Sequence, residues 1–144
     1  MTREINARFR DVPGHKPIAT STITGLQAKA LGEGDGILQM LLWLQRTPES
    51  FLPGVDADPN DGRLRELGPS QILRWDTKKI YTALNTKRAS SGLNWNELAI
   101  QIGGVNAGLL TRMARGGRTA FPQVMRITQW LGEPATKFTR ASDW

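Results

Sequence analysis

The sequence predicts an all-α protein built from short helices, and three observations support this fold class. Apolar residues recur at helical spacing after residue 76, as at Ile80 and Leu84, and glycine pairs separate the apolar runs. Residues that cap helices, such as Asn94 and Asn106, stand where these runs begin. No segment combines sustained apolar-polar alternation with β-branched residues between turn residues, which is the pattern of a half-buried strand.

The first two helices of the second half are predicted from their caps. The first begins at Asp76 or Thr77 and ends near Gly92. The second begins after Asn94, which forms a capping-box pattern with Glu97 because an asparagine is followed three residues later by a glutamate. Two consecutive amphipathic helices are therefore expected in this region.

A glycine pair separates the second helix from the third. Gly103-Gly104 ends the second helix after barely two turns, and Asn106 can cap the helix that follows. This third helix is expected to run through Leu109, Leu110, Met113 and Ala114. Two short helices thus meet at a glycine turn.

The end of the chain predicts one further helix and a final turn. Gly116-Gly117 ends the third helix, and Pro122 suits the first turn of a fourth helix that stops at Gly132. Pro134 can then begin a short turn that returns Phe138 to the core. The second half is therefore expected to form a compact helical bundle.

The composition removes most enzyme classes. There is no cysteine and only one histidine, His15, so thiol nucleophiles, cysteine-based zinc sites and most imidazole chemistry lack their residues. We expect no catalytic activity, no cofactor and no metal. The chain begins with MTREINARFR and contains no apolar run long enough to cross a bilayer. A cytoplasmic protein that does not contact membranes is expected.

The charge is strongly asymmetric along the chain. Overall, 19 Lys and Arg residues against 13 Asp and Glu residues give a net charge of +6. Residues 1–69 contain 8 basic and 9 acidic residues, whereas residues 70–144 contain 11 basic and 4 acidic residues. The whole positive excess therefore lies in the second half, as expected of a module that faces a polyanion.

The segment 53–72 divides the chain. It is crowded with proline, glycine, aspartate and asparagine and shows no helical or strand period. We interpret it as a linker between a first domain, residues 1–52, and a second domain, residues 73–144.

The second domain resembles the helix-turn-helix domains of λ-repressor, Cro and XRE-type regulators. The resemblance covers roughly Asp76 to Arg140 and rests on the run WNELAIQIGGVNAGLLTRMARGGRTAFPQVMRITQWLGEPATKF. Ala99 fits the small residue between the two helices, and Gly104 fits the turn glycine. The spacing from Ala99 to Val105 is one residue longer than the common pattern. The resemblance implies a λ-repressor-like bundle that places a recognition helix in the major groove of double-stranded DNA.

The same resemblance divides the site residues into two groups. The recognition helix spans about Asn106 to Arg115, and arginine suits the acceptor pair of guanine. The candidates for contact with base edges are Asn106, Ala107, Thr111 and Arg112. The candidates for contact with phosphates are Lys78, Lys79, Lys87, Arg88, Arg115 and Arg118.

The first domain is predicted to be a shortened, degenerate copy of the second. A shift of 87 residues aligns Ile18–Leu52 with Val105–Thr139 without a gap, and it matches Trp43 with Trp130. The run EGDGILQMLLWLQRTPESF also resembles one half of tandem XRE-like proteins. Only 17 residues precede the aligned segment, and its expected recognition helix, residues 21–30, carries Lys29 as its only charge. We therefore expect the first half to make contacts rather than bind DNA.

Two functions remain open. The first is a sequence-specific transcriptional regulator of the XRE/Cro type that binds double-stranded DNA. The alternative is an antitoxin-like or adaptor module that keeps the fold for protein interaction, because Ala107 and Gly108 have no hydrogen-bonding side chain. Either a homodimer or packing of the two halves within one chain would cover the surface left by the shortened copy.

Overall fold

The computed structural model describes residues 2–8, 19–21, 34–52, 54, 63–68 and 70–143. The elements are α1 (Thr2–Arg8), α2 (Gly34–Leu44), the 3-10 helix η1 (Pro48–Phe51), β1 (Gln71–Trp75), α3 (Thr77–Ser90), α4 (Trp95–Ile102), α5 (Ala107–Arg112), the 3-10 helix η2 (Met113–Arg115), α6 (Phe121–Leu131), the 3-10 helix η3 (Ala135–Phe138) and β2 (Thr139–Asp143).

The prediction of an all-α fold is wrong, because β1 and β2 form an antiparallel two-stranded sheet. Gln71 lies opposite Asp143, and Trp75 lies opposite Thr139. The sequence of β2, Thr-Arg-Ala-Ser-Asp, is short and poor in β-branched residues, so its own composition carries no strand signal. Pairing with a distant strand forms it instead. β1 begins inside the segment 53–72 that was interpreted as a linker.

The predicted helix starts of the second half are confirmed. Asp76 caps α3, and its side chain accepts the N–H of Lys79. Asn94 and Glu97 form the complete capping box of α4, in which each side chain accepts a backbone N–H of the other residue. Asn106 caps α5. Each of these caps satisfies backbone donors that the first turn of a helix leaves unpaired.

The end of the bundle also follows the predicted order. Pro122 lies in the first turn of α6, and Gly132 ends this helix. Pro134 precedes η3, which brings the Phe138 side chain into the core with 1% of its surface exposed.

A single hydrophobic core joins elements from both halves of the chain. Ile80 and Leu84 of α3 pack with Leu98 of α4, and Leu38 of α2 belongs to the same cluster although it precedes the predicted linker. The other buried members are Leu73, Trp75, Ala99, Leu110, Met113, Val124, Met125, Ile127, Ala135 and Phe138. The α2 and η1 segments of the first half are therefore packed on the second half.

The outer edge of β1 is covered by α2. One edge of this strand pairs with β2, and on the other edge the Trp75 N–H donates to Oδ1 of Asp35 at 3.0 Å. One turn further along α2, Nε2 of Gln39 donates to the carbonyl oxygen of Leu73 at 3.1 Å. Because an open strand edge leaves backbone groups unpaired, these two side chains supply partners for two of the groups on the outer edge of β1.

Where both segments aligned by the 87-residue shift are described, their helices have matching bounds. α2 spans residues 34–44 and α6 spans residues 121–131, so both bounds differ by 87. The 3-10 helices η1, residues 48–51, and η3, residues 135–138, differ by the same 87. Residues 20 and 21 are helical, and they correspond to the start of α5. The rest of the predicted helix 21–30 lies outside the described residues.

The turn between α4 and α5 contains two successive residues with positive φ. Gly103 has φ 73° and ψ 145°, and Gly104 has φ 69°. The Gly103 combination lies where side chains are rarely tolerated, so the additional residue between Ala99 and Val105 is accommodated by glycine alone.

Substitution of Gly103 by alanine should therefore destabilise the protein by about 1–3 kcal/mol, because alanine at this φ and ψ is strained. Gly108→Ala is the matched control. Its added Cβ would make only an ordinary contact, 3.4 Å from Oδ1 of Asn106, and alanine favours a helix over glycine by about 0.5–1 kcal/mol. Urea denaturation should show opposite signs for the two variants. Equal effects would contradict the strained geometry at Gly103.

A second stability prediction concerns the contact between η1 and η3. The Glu49 carboxylate accepts the backbone N–H of Ala135, which is fully buried. Glu49→Ala leaves that N–H without its charged acceptor and should lower the free energy of unfolding by about 1.5–3 kcal/mol. Glu66→Ala, at an exposed position, should change it by less than about 0.5 kcal/mol. If urea denaturation gave the two variants the same stability, Glu49 would not hold the two 3-10 helices together.

Candidate nucleic-acid interface

The helices α4 and α5 form the helix-turn-helix unit on which the candidate site is built. They contact each other, and Leu98 and Leu110 are fully buried while Ala99 is 6% exposed. The small Ala99 side chain permits this close approach of the two helices. The outward positions of α5 and η2 are exposed and include Thr111, Arg112 and Arg115. The resulting surface presents a short helix and its 3-10 extension to solvent.

Two of the four candidates for base contact form side-chain hydrogen bonds with the backbone of α5. Oδ1 of Asn106 accepts the backbone N–H of Leu109 at 2.8 Å, as a cap. The Thr111 hydroxyl donates to the carbonyl oxygen of Ala107 at 3.0 Å. Ala107 itself is half-buried and offers only a methyl group. The candidate set therefore has less hydrogen-bonding capacity than its residue types indicate.

Arg112 is the strongest base-contact candidate that the structure leaves. Its position is exposed, and no hydrogen bond or ion pair holds its guanidinium among the residues that the structure describes. Its aliphatic stem packs on the loop that follows, because a Cβ built on Gly117 would lie 2.8 Å from Cγ of Arg112. The stem is thus fixed while the charged end is available for a partner.

Two lysines among the phosphate candidates stabilise the bundle. Nζ of Lys79 donates to the carbonyl oxygen of Lys137 at 2.8 Å. Nζ of Lys87 donates to the Trp130 carbonyl oxygen at 2.7 Å and lies 4.6 Å from the centroid of the Trp130 ring. These carbonyls belong to the end of α6 and to η3, where helical backbones leave acceptors unpaired. Both side chains are therefore helix-capping groups in this structure.

Arg88 has a similar structural role. Its Nη1 donates to the carbonyl oxygen of Leu93 at 2.7 Å, and its Nη2 donates to Oδ1 of Asn85 at 2.8 Å. Its guanidinium carbon lies 4.8 Å from the centroid of the Trp95 ring, which in turn stacks on Tyr81 at 5.2 Å. This arrangement fixes the turn between α3 and α4 and occupies much of the donor capacity of the guanidinium.

The remaining phosphate candidates come together where η2 ends. Lys78, at the start of α3, lies against Gly116, since a Cβ built on that glycine would be 3.5 Å from Cε of Lys78. Arg115 immediately precedes Gly116, and Arg118 lines a pocket together with it. The structure therefore places Lys78, Arg115 and Arg118 near the end of η2, whereas Lys79, Lys87 and Arg88 contact other parts of the bundle.

Two further arginines at this place were missed by the sequence analysis. Arg74 of β1 and Arg140 of β2 lie directly opposite each other in the sheet, and together with Arg118 they line a polar pocket of about 250 Å³. The Thr77 and Thr119 side chains also line it. Because Arg74 and Arg140 are distant in sequence, only the strand pairing could have shown that they are neighbours.

The pairing of Arg74 with Arg140 needs a compensating charge. Like charges directly opposite in an antiparallel pair destabilise it. Asp35 of α2 supplies the compensation, because its Oδ2 lies 3.0 Å from Nη1 of Arg74. The described residues that line the pocket include three arginines and one aspartate, whose formal charges sum to +2. The pocket lies beside the end of η2.

Arg126 of α6 is a third arginine that the sequence did not indicate. A Cβ built on Gly104 would lie 3.0 Å from both Cζ and Nε of Arg126, so this guanidinium rests on the turn between α4 and α5. The glycine is needed for this approach as well as for its backbone conformation. The sequence signal for this residue was a single arginine among the apolar residues of α6.

Comparisons with protein-family models, curated proteins and solved structures find no match to this chain. None of the helices in the described ranges is both long and apolar enough to cross a membrane. Within the same ranges, no three His, Cys, Asp or Glu residues are grouped as a metal site requires.

The charge compensation at Arg74 can be tested with Asp35→Asn. The asparagine keeps an oxygen that accepts the Trp75 N–H but loses the charge opposite Arg74, so we expect a destabilisation of about 1 kcal/mol at low salt. At about 1 M salt the difference should shrink, since the Debye length falls to about 3 Å. Urea denaturation at both salt concentrations measures this change. Asp143→Asn, at the exposed end of β2, is the control, and a salt-independent loss in Asp35→Asn would argue against charge compensation.

Proposed function

We propose that this protein is a sequence-specific DNA-binding regulator of the helix-turn-helix type that inserts α5 into the major groove. One observation carries the proposal. The side chains of Lys78 and Arg112 lie against Gly116 and Gly117, and these two glycines line one pocket together with Arg74, Arg118 and Arg140. A regulator of this kind would act in the cytoplasm, on the nucleoid.

The proposed division of labour follows from side-chain chemistry. Arg112 would contact a base edge, because its guanidinium can donate two parallel hydrogen bonds to guanine. Lys78, Arg115, Arg118 and Arg140 would contact phosphates, which position the protein without specifying sequence. Arg74 already has a carboxylate partner in Asp35, so it would contribute less to the electrostatic attraction.

This division predicts a strong dependence on salt. Neutralisation of about four phosphates gives a slope of about −3.6 in a plot of log K against log salt concentration. A fourfold increase in salt would then weaken binding on the order of a hundredfold. The affinity of one such module should therefore be modest at physiological ionic strength.

A second function is favoured by the hydrogen bonds of α5. The side chains of Asn106 and Thr111 form hydrogen bonds with the backbone of α5. Ala107 and Gly108 have no polar side-chain atom. A surface with so few available donors also suits a partner protein. In this alternative the chain is an antitoxin-like or adaptor module whose affinity for DNA is weak and independent of sequence.

Fluorescence anisotropy with duplexes selected from a random library separates the two functions. Arg112→Ala should lower affinity for the selected duplex by about 5-fold to 150-fold, corresponding to about 1–3 kcal/mol, and reduce discrimination against other duplexes. Arg115→Ala should weaken binding to all duplexes alike and reduce the magnitude of the salt slope by about 1.

The matched control is Arg65→Ala, which removes the same charge from an exposed position in segment 63–68. It should leave both sequence preference and salt slope close to those of the unmodified protein. If Arg112→Ala and Arg115→Ala behaved like Arg65→Ala, the regulator function would be refuted and the interaction module would be favoured.

A further inference from the structure

We infer that this chain is an internal pseudo-dimer with one DNA-contacting arm, so it acts as a monomer on a single asymmetric half-site. The inference makes two claims. The claim of a single DNA-contacting repeat rests on the proposed function. The claim of internal pairing does not, and it states that the first repeat occupies the surface of α6 and η3 through which a second copy would otherwise pair.

The packing of the repeats shows this arrangement. α2 contacts its own counterpart α6, and η1 contacts its own counterpart η3. When equivalent elements of two copies contact each other, the interface is of the self-complementary kind found in symmetric dimers. Here both copies belong to one chain.

Equivalent positions of the two repeats are also buried. Leu38 of α2 corresponds to Met125 of α6, and they are 0% and 2% exposed in the same core. Leu41 corresponds to Thr128, and these residues are 3% and 1% exposed. These positions are therefore buried within one chain and need no second copy to cover them.

The interface is nevertheless specialised for unlike partners. Glu49 of η1 accepts the N–H of Ala135 of η3. The reciprocal contact cannot form, because the residue that corresponds to Ala135 is Pro48, which has no N–H, and the residue that corresponds to Glu49 is Thr136. Two first repeats from different chains would thus place Glu49 against a proline. Pairing within the chain is favoured over exchange between chains.

Only the second repeat carries the residues for DNA. In the alignment by 87 residues, the cap residue Asn106 corresponds to Ala19. The basic residues Arg112, Arg115 and Arg118 correspond to Gly25, Ala28 and Leu31. A two-armed dimer contacts two half-sites about one helical turn apart. A pseudo-dimer in which only one repeat carries the DNA-contacting residues contacts one half-site, so its DNA site has no inverted repeat.

Two measurements on the full-length chain test the inference. Light scattering coupled to size-exclusion chromatography gives the mass without DNA, and the expected value is that of one chain, 15.9 kDa. Selection from a random duplex library then gives the site. We expect one asymmetric element shorter than about 10 base pairs, bound by one chain per duplex.

Each outcome has a distinct meaning. A mass of two chains without DNA overturns the internal pairing, whether or not DNA binds. A monomer that selects an inverted repeat and binds it as two chains overturns the one-arm inference while supporting the proposed function. A monomer that binds no duplex refutes the proposed function and with it the one-arm site, and it leaves the internal pairing supported by the measured mass.

Discussion

The outer edge of β1 is the constraint on which the rest of this structure depends. A strand paired on one side only leaves N–H and carbonyl groups that must find partners when they are buried. β2 pairs with the inner edge, and Asp35 and Gln39 of α2 take the outer edge. This requirement fixes α2 against the second half, and it places Leu38 in the common core. The two halves of the chain thus share one packing unit.

The sequence predicted those features that local chemistry decides. The caps at Asp76, Asn94 and Asn106 and the stop at Gly132 each depend on residues within one turn, and all four were found where they were expected. The strand β2 was not predicted, because its five residues have weak strand preference and pair with residues more than sixty positions away. Local patterns contain no information about such a partner.

The candidate site shows the same division. The helical run predicted from about Asn106 to Arg115 is found as α5 followed by η2, because local spacing and the Asn106 cap decide it. The sequence could not show that Lys87 donates a hydrogen bond to a carbonyl of α6, or that Arg88 donates one to the turn between α3 and α4. Those acceptors lie outside the helix that carries the two side chains. Nor could the sequence place Arg74 opposite Arg140. A charged residue can bind a ligand or stabilise the fold, and only the tertiary contacts distinguish the two.

The position of Asp35 couples the fold to the charge of the surface. One of its oxygens accepts the Trp75 N–H and completes the strand edge, while the other pairs with Arg74. Asp35 of the first half thereby reduces the positive charge of the pocket, to which the described residues of that half add no basic side chain. The two repeats agree in element bounds where they touch each other, and their sequences differ at the basic positions of α5 and η2. Packing restricts the residue types on the buried faces of both repeats. The exposed positions of α5 and η2 are under no such restriction, so the two repeats can differ there.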